Sequence, residues 1–426
     1  MSNDMRTNFL SMKNLYVFLL SLFGKNKEKE RMSMVESTDY TITKSSVRES
    51  ELMYEVEDFL ASRYTFRYNE MTEQTEYKWK KDVNGKYQLI TQRDLNTFCM
   101  EARKEGINCW DRDISRYVHS RSIVSYNPFT SYMDNLPVWD KTDRVTHLAK
   151  RVSHDSVWIE GFHKWMLGMA SQWMRFTSKH ANSVAPVLVS SRQGRNKSTF
   201  CRMLMPDILQ AYYTDSFELT STSGAEQKLS TFGLINLDEL DKYSERKMAS
   251  LKNLMQMAGV SIRKAHKTCY STLPRIASFI GTSNRKDLLT DPTGSRRFLC
   301  VDVENKIDCS SIDHAQVYAQ LKEELLTGKR SWFNQDEETT LMEHNEPFQK
   351  RSLAEDLFYS CYRLPENEEK GQFLSAIQIY NELKKQSPSS TRLLSQAAFG
   401  KTLVALGVER KHTKYGNLYH VISSIA

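Results

Sequence analysis

Ala185-Pro186-Val187-Leu188-Val189-Ser190, followed at once by Ser191-Arg192-Gln193-Gly194-Arg195-Asn196-Lys197-Ser198-Thr199, decides how the rest of the chain is read. A short apolar run bounded by a polar loop reads as a buried strand. A helix begins at about Thr199 and runs to Leu204. Strand, loop and helix in that order can curl backbone N–H groups around a phosphate, with a lysine near the β/γ-phosphates and a hydroxyl on Mg²⁺. The Lys197-Ser198-Thr199 end of such a loop is intact. Both framing glycines of G-x-x-x-x-G-K-[ST] are absent, with Ser191 and Asn196 in their places. Asparagine is the non-glycine residue that best tolerates positive φ, so Asn196 still permits the turn, and Gly194 keeps one flexible position. Taken alone, the loop reads equally as a structural turn.

Three further strand signals follow: Gly233–Leu237 (GLINL), Ile276–Ile280 (IASFI) and Phe298–Val303 (FLCVDV), with a helix at Arg246–Ala258. Alternating strands and helices predict an α/β domain around a mostly parallel sheet. Each strand borders residues of chemical interest. GLINL runs into Asp238-Glu239, where Asp238 is assigned to the metal and Glu239 to the attacking water. IASFI runs into Gly281-Thr282-Ser283-Asn284, with Asn284 assigned to orient that water. Asp291-Pro292-Thr293-Gly294-Ser295-Arg296-Arg297 precedes the last strand. Arg296 or Arg297 is the candidate arginine finger for a neighbouring subunit's phosphate, with a surface ion pair as the competing reading. Gln193, Gly194, Arg195, Asn196, Lys197, Ser198 and Thr199 form the expected ATP-binding loop. Ser198 and Asp238 are the expected Mg²⁺ ligands.

On either side the pattern changes. Residues 1–45 read as a disordered or docking lead-in, and Leu15–Leu20 (LYVFLL) is too short for a bilayer-spanning helix. Residues 46–178 read as mainly helical, with strand-like TFRYNE and TEYKWKK and a second strand pair around Asn84-Gly85. Within them NPFTSYMDNLPVWDKTDRV, with its two prolines, reads as a loop. Residues 179–310 form the expected core and 311–351 a helical connector. In residues 352–426 a helix at Gln372–Lys385, a break at SPSS, a helix at Leu393–Leu406 and strands at Val408–His412 and Leu418–Ile422 describe a winged-helix-like module.

The chain of 426 residues carries a net charge of +7, unevenly spread. Residues 260–286 hold 6 Lys+Arg and no acid, and residues 370–426 hold 8 Lys+Arg against 2 Glu. Such local patches suit a polyanion better than a membrane surface. Seven scattered cysteines, none spaced C-x-x-C, argue against a disulfide framework or a zinc site and fit a reducing cytosol, so a cytoplasmic location without stable membrane insertion is expected.

In its order of motifs, SRQGRNKSTF, LINLDELDK, GTSN and DPTGSRRF, the chain resembles the virulence-associated E (VapE) family. YNPFTSYMDNLPVWDKTDRV is similar to the segment that precedes the ATPase in that family, with Trp139-Asp140 and Asp143-Arg144 in the matching places. The C-terminal FLSAIQIYNELKK and FGKTLVALGVERKHTKYGNLYHV resemble a companion domain found beside VapE domains in Bacteroides-like bacteria. The resemblance implies a P-loop NTPase core of the AAA+/superfamily 3 helicase type, carried by prophages, islands and other mobile elements. It implies an ATP- and Mg²⁺-dependent DNA helicase or translocase, assembled as a hexameric ring. Its partners would be single-stranded or replication-origin DNA, together with replication proteins. Related ring helicases carry a DNA-gripping β-hairpin where Arg263, Lys264, His266 and Lys267 stand here, with a subunit interface as the alternative role. Arg410, Lys411, His412 and Lys414 sit where a wing would touch a DNA backbone. A DNA-binding replication initiator or interference protein, with a weakly or non-hydrolysing nucleotide site, is the competing function.

Overall fold

The computed structural model describes residues 42–426 apart from 177–179, 220–221, 263–270, 292–294, 366–368, 393, 415 and 425–426. The apolar run Leu15–Leu20 and the cations Arg263, Lys264, His266 and Lys267 lie outside the described residues. The chain divides into two compact units, meeting in sequence at Asn127 and Pro128.

The first unit begins with α1 (Ile42–Arg63), which feeds β1 (Tyr64–Asn69) and β2 (Gln74–Trp79). These pair antiparallel from Tyr64↔Trp79 to Asn69↔Gln74. The strand after the Asn84-Gly85 turn, β3 (Gln88–Leu89), adds to β2, and β4 (Ser125–Tyr126) runs parallel to β1. One sheet of order β3-β2-β1-β4 therefore replaces the expected separate strand pair, because Tyr77 and Glu76 present free strand edges to Gln88 and Leu89. Helices α2 (Gln92–Lys104) and α3 (Asp111–Val118) cover it. A capping box between Thr91 and Asp94 starts α2. Val56, Phe59, Leu60, Tyr64, Tyr77, Phe98 and Ile114 form its core.

The second unit opens with α4 (Pro128–Asp134), α5 (Arg144–Lys150) and α6 (Ser156–Trp173). The stretch read as a loop thus contains a helix. Pro128 takes the first helical position, where its missing N–H costs nothing. Phe129 and Met133, one turn apart, are buried together, Phe129 at 5.2 Å from Trp173 and 5.1 Å from Tyr212. Arg144 makes a two-pronged bond to Asp140 at 2.6 and 2.7 Å, and Asp143 caps α5. These are the residues matched to the family segment, and they turn the chain into α5.

The central sheet comprises β5 (Ala185–Val189), β6 (Tyr213–Thr214), β7 (Leu234–Leu237), β10 (Ser278–Ser283) and β11 (Phe298–Asp302), in the order β11-β5-β10-β7-β6. Every pair is parallel. Counted along the chain, that order is 5-1-4-3-2. Its central strands are buried throughout, which is why they read as continuous apolar runs. The connections are α7 (Lys197–Met203), α8 (Thr222–Thr231) and α9 (Glu245–Gln256), then an antiparallel hairpin of β8 (Gly259–Ile262) and β9 (Ser271–Pro274). Helices α10 (His314–Leu326) and α11 (Gln335–His344) follow β11.

The chain ends in α12 (Leu353–Cys361), β12 (Tyr362–Arg363), β13 (Gln372–Ser375), α13 (Ala376–Gln386), α14 (Pro388–Thr391), α15 (Gln396–Ala405), β14 (Arg410–Thr413) and β15 (Gly416–Ser423). Two expectations need correction. Gln372–Ser375 is strand, paired with β15, because the Ser375–Gln378 capping box starts the helix only at Ala376. The SPSS stretch is a helical turn, with Pro388 in its first turn. Phe358, Ile379, Leu383, Phe399, Leu403 and Val421 form a separate core. No helix among the described residues is long and apolar enough to cross a membrane.

Candidate functional site

In an open parallel sheet the carboxyl ends of the strands face a crevice where the strand order reverses, and here that point lies at β5. The loop after β5 leads into α7 through two residues with positive φ, Gly194 (74°) and Asn196 (63°). Asn196 sits in the left-handed region that glycine would normally supply, and its side-chain Nδ2 donates to Ile307 O at 3.1 Å. The turn is further tied by Ile307 N donating to Arg195 O at 3.2 Å. An asparagine thus keeps the loop curled without the second glycine.

Lys197, the first residue of α7, is nine-tenths buried. Its Nζ donates to Ser190 O and to Asn284 Oδ1, each at 3.0 Å. Burial lowers its pKa, while the carboxylates of Asp241 and Asp238 pull it back up. The Ser198 hydroxyl donates to Asp238 Oδ1 at 3.1 Å, so the two expected metal ligands meet although 40 residues separate them. Asp238 follows β7 and Asn284 follows β10, the strand between β7 and β5. The structure therefore brings Lys197, Ser198, Asp238 and Asn284 together at one end of the sheet. Gln193 and Thr199 are exposed on the same loop and helix start.

Glu239 has a positive φ of 52°, unusual for a side chain this long, and its carboxylate is paired with Lys242 at 2.5 Å. Three residues that the sequence reading left unassigned complete the cluster. Thr282 Oγ1 donates to Asp238 Oδ1 and accepts from Glu239 N. Asp241 Oδ1 accepts from Ser283 Oγ at 3.0 Å and from Asn284 N at 3.1 Å, which fixes the tip of β10 against the turn after β7. The signal was a third carboxylate three residues beyond Asp238, close enough for a turn to fold it back.

The candidate finger arginines are elsewhere. Phe298 pairs with Ala185, the first residue of β5, so Arg296 and Arg297 stand at the opposite end of the sheet from the loop after Val189. Arg296 pairs with Glu338 at 3.0 Å; Arg297 is part-buried with its Nε unbonded, and burial lowers its pKa. Asn345, fully buried, donates to Ser295 O and Phe298 O and so holds this turn.

The basic run at 260–286 contains less free charge than its composition implied. Arg275 is buried and donates to the carbonyls of Ala277, Leu254, Met255, Met257 and Asn182. Arg285 pairs with Asp287 and Lys286 with Asp302. In the C-terminal part, Arg410, Lys411, His412 and Lys414 are all exposed along β14 and the turn that follows.

Among solved structures, three titled as the NrS-1 C terminal region are similar. One apo structure of residues 305–718 is 12% identical with a TM-score of 0.43, covering 88% of this chain and 99% of that one. The two A-form apo structures are 11% and 13% identical, with TM-scores of 0.39 and 0.41, each covering 87% of this chain and 99% of the other. No curated protein matches. Residues 351–421 match a domain of unknown function from a B. Theta gene description, DUF3874. Residues 133–350 match the virulence-associated protein E-like domain, and this chain, with more than half its length in that match, belongs to the virulence-associated protein E-like family.

Proposed function

We propose that the protein is an Mg²⁺-dependent ATPase that drives a DNA helicase or translocase in the replication of a mobile genetic element. The observation that carries this reading is the meeting of Ser198 Oγ and Asp238 Oδ1 at 3.1 Å, on the curled loop that presents the Lys197 amine. Sheet order 5-1-4-3-2, with the loop after strand 1 and acids after strand 3, supports an AAA+/superfamily 3 type of P-loop core. In this reading Gln193, Gly194, Arg195, Asn196 and Thr199 wrap the phosphates through their backbone, and Lys197 moves from Ser190 O to the β/γ-phosphates.

Ser198 and Asp238 would hold the Mg²⁺. Two protein oxygens are few, and they suit an ion that takes its remaining ligands from phosphate and water. Such an ion would supply neutralisation of the charge that develops on the phosphates. Asn284 orients the attacking water and Glu239 polarises it once Lys242 releases it. Arg296 or Arg297 serves the next subunit, which requires a closed ring, most simply a hexamer. The partners are single-stranded or origin DNA and other replication proteins. Arg263, Lys264, His266 and Lys267, which fall between β8 and β9 in the sequence, are the cations assigned to the DNA strand. The α12-β13-α13-α15-β14-β15 order supports a winged-helix reading, with Arg410, Lys411 and Lys414 on the DNA backbone.

A DNA-binding initiator or interference protein with a slow nucleotide site is favoured by one observation, the Glu239–Lys242 pair at 2.5 Å. An ATPase assay with and without single-stranded DNA separates the two. Stimulated turnover in the wild type, reduced about 10²- to 10³-fold in Lys197→Ala and Glu239→Gln, supports the ATPase. Equal residual turnover in all three proteins overturns it. Tight DNA binding without turnover supports the alternative.

A further inference from the structure

The first unit carries a feature that the nucleotide site does not use. Between the middle of α1 and the start of α3 lies a cleft of about 620 Å³. Leu52 and Met53 form one wall; Trp110, Arg112 and Arg116 form the other. Trp110 is 54% exposed, a large cost for the biggest apolar side chain. It also occupies the N-cap of α3, where an oxygen-bearing side chain would bind the free N–H groups and an indole cannot. Asp113 compensates in part by accepting from Trp110 N at 3.0 Å. A position that is unfavourable for both burial and capping is one where sequence serves something other than the fold.

Arginines outnumber acids among the residues that line the cleft. The Arg103 guanidinium lies over the Trp110 ring, 4.9 Å from its centroid, and the residue is still 54% exposed. The Arg112 and Arg116 side chains are 75% and 67% exposed. Asp113 is the one acid among the lining residues, 8% exposed, and it reaches these arginines only at 3.9 and 3.7 Å. Their N–H groups therefore remain open to a ligand. A flat ring flanked by guanidiniums presents a stacking platform and phosphate donors together, the two contacts by which proteins hold unpaired nucleotides. An acidic peptide would use the arginines and leave the indole idle.

We infer that this cleft binds single-stranded nucleic acid, one base stacking on Trp110 and the flanking phosphates lying on Arg112 and Arg116. The site is separate from the nucleotide loop, so the inference stands whether or not the chain hydrolyses ATP.

The test is a tryptophan-fluorescence titration of the full chain with oligo(dT) of about 20 nucleotides, enough to span such a site. Three of the seven tryptophans, Trp158, Trp165 and Trp173, are buried and out of reach of direct contact with a ligand in the cleft. Wild type should be quenched. Trp110→Phe should lose most of the quenching while keeping most of the affinity. Arg112→Glu/Arg116→Glu should weaken binding at least tenfold, and Arg112→Gln/Arg116→Gln should flatten the salt dependence by about 1.4 in log–log slope, at ~0.7 per phosphate. Exposed as these arginines are, the variants should match the wild type in circular dichroism and melting. Unchanged quenching in Trp110→Phe, or unchanged affinity in both arginine pairs, overturns the inference. So does poly-glutamate competing as well as oligo(dT), which would make the cleft an acidic-peptide site.

Discussion

Thr282 and Asp238 share a 2.5 Å hydrogen bond, and the same threonine oxygen accepts from the backbone N of Glu239 at 3.3 Å. One hydroxyl on β10 thus sets the rotamer of the candidate metal ligand and anchors the strained turn after it. Asp238 Oδ1 accepts from both Thr282 and Ser198, which leaves its second oxygen to act elsewhere.

Thr282→Val keeps the shape and removes the hydroxyl. A hydrogen bond to a charged group contributes about 1.5–3 kcal/mol, and if that is expressed at the transition state kcat falls roughly 10- to 100-fold. Thr282→Ser, which retains the oxygen, should recover most of the activity. Steady-state ATPase kinetics on both variants, with KM for ATP read separately, checks this. A valine variant as active as wild type would remove Thr282 from the site.

Much of this site was legible because its strands are short, buried and end in polar groups. Lys197, Ser198, Asp238 and Asn284 each follow an apolar run, and a parallel sheet forces such ends to one side. Thr282 was not legible, and Asp241 showed only as a third carboxylate near Asp238, with nothing to say what it would bind. Their roles depend on the register of β10 against β7, in which Gly281 faces Leu237, and register is a tertiary property. Arg275 misled for a related reason: composition counts it as surface charge, whereas the chain buries it under the end of α9. The N-terminal sheet and the helix at Pro128 were misread because each depends on partners distant in sequence, Tyr77 for Gln88 and Trp173 for Phe129.

Lys197 gives a pH dependence with a defined sign. Burial places its folded pKa below the ordinary 10.5. Between the lowered value and 10.5 the unfolded chain binds more protons, so stability without nucleotide rises with pH across that window. Phosphate binding needs the charged amine, so ATP affinity falls across the same window. The difference between wild type and Lys197→Met, in melting temperature with and without ATP, isolates both effects. A nucleotide-induced melting shift that stays constant to pH 10.5 would contradict the assignment.

The arginines before β11 predict complementation between inactive subunits. Five residues of β5 span roughly 13 Å at ~3.3 Å each, and the nucleotide loop begins beyond them. A finger at Arg296 or Arg297, as proposed, would therefore have to serve a neighbour's site. Alanine variants of each, assayed singly, should identify the finger by a loss of about 10³-fold. Mixing that variant with Lys197→Ala should restore measurable ATPase, because an intact loop then meets an intact arginine at some interfaces. Mixtures as inactive as their parents, in assembled samples, would argue against a finger in trans. Arg296→Ala also breaks the pair with Glu338, so its melting temperature is the control.

Arg275 offers a stability prediction. Burial pulls its pKa down, and among the described residues its three nitrogens bond five backbone carbonyls and no carboxylate. Leu254 O and Met255 O belong to the last turn of α9, where carbonyls lack helical partners. Asn182 O precedes β5, and Ala277 O precedes β10, so one guanidinium joins the helix end, the hairpin base and the sheet. Arg275→Met preserves much of the volume and removes every donor, leaving several buried carbonyls unbonded at about 1–3 kcal/mol each before relaxation. Destabilisation of about 3 kcal/mol or more is expected in urea unfolding followed by circular dichroism. Arg275→Lys should rescue little, since one amine cannot reach carbonyls that three planar nitrogens divide among themselves. Lysine restoring wild-type stability would mean that charge, rather than the fan of hydrogen bonds, is what this position provides.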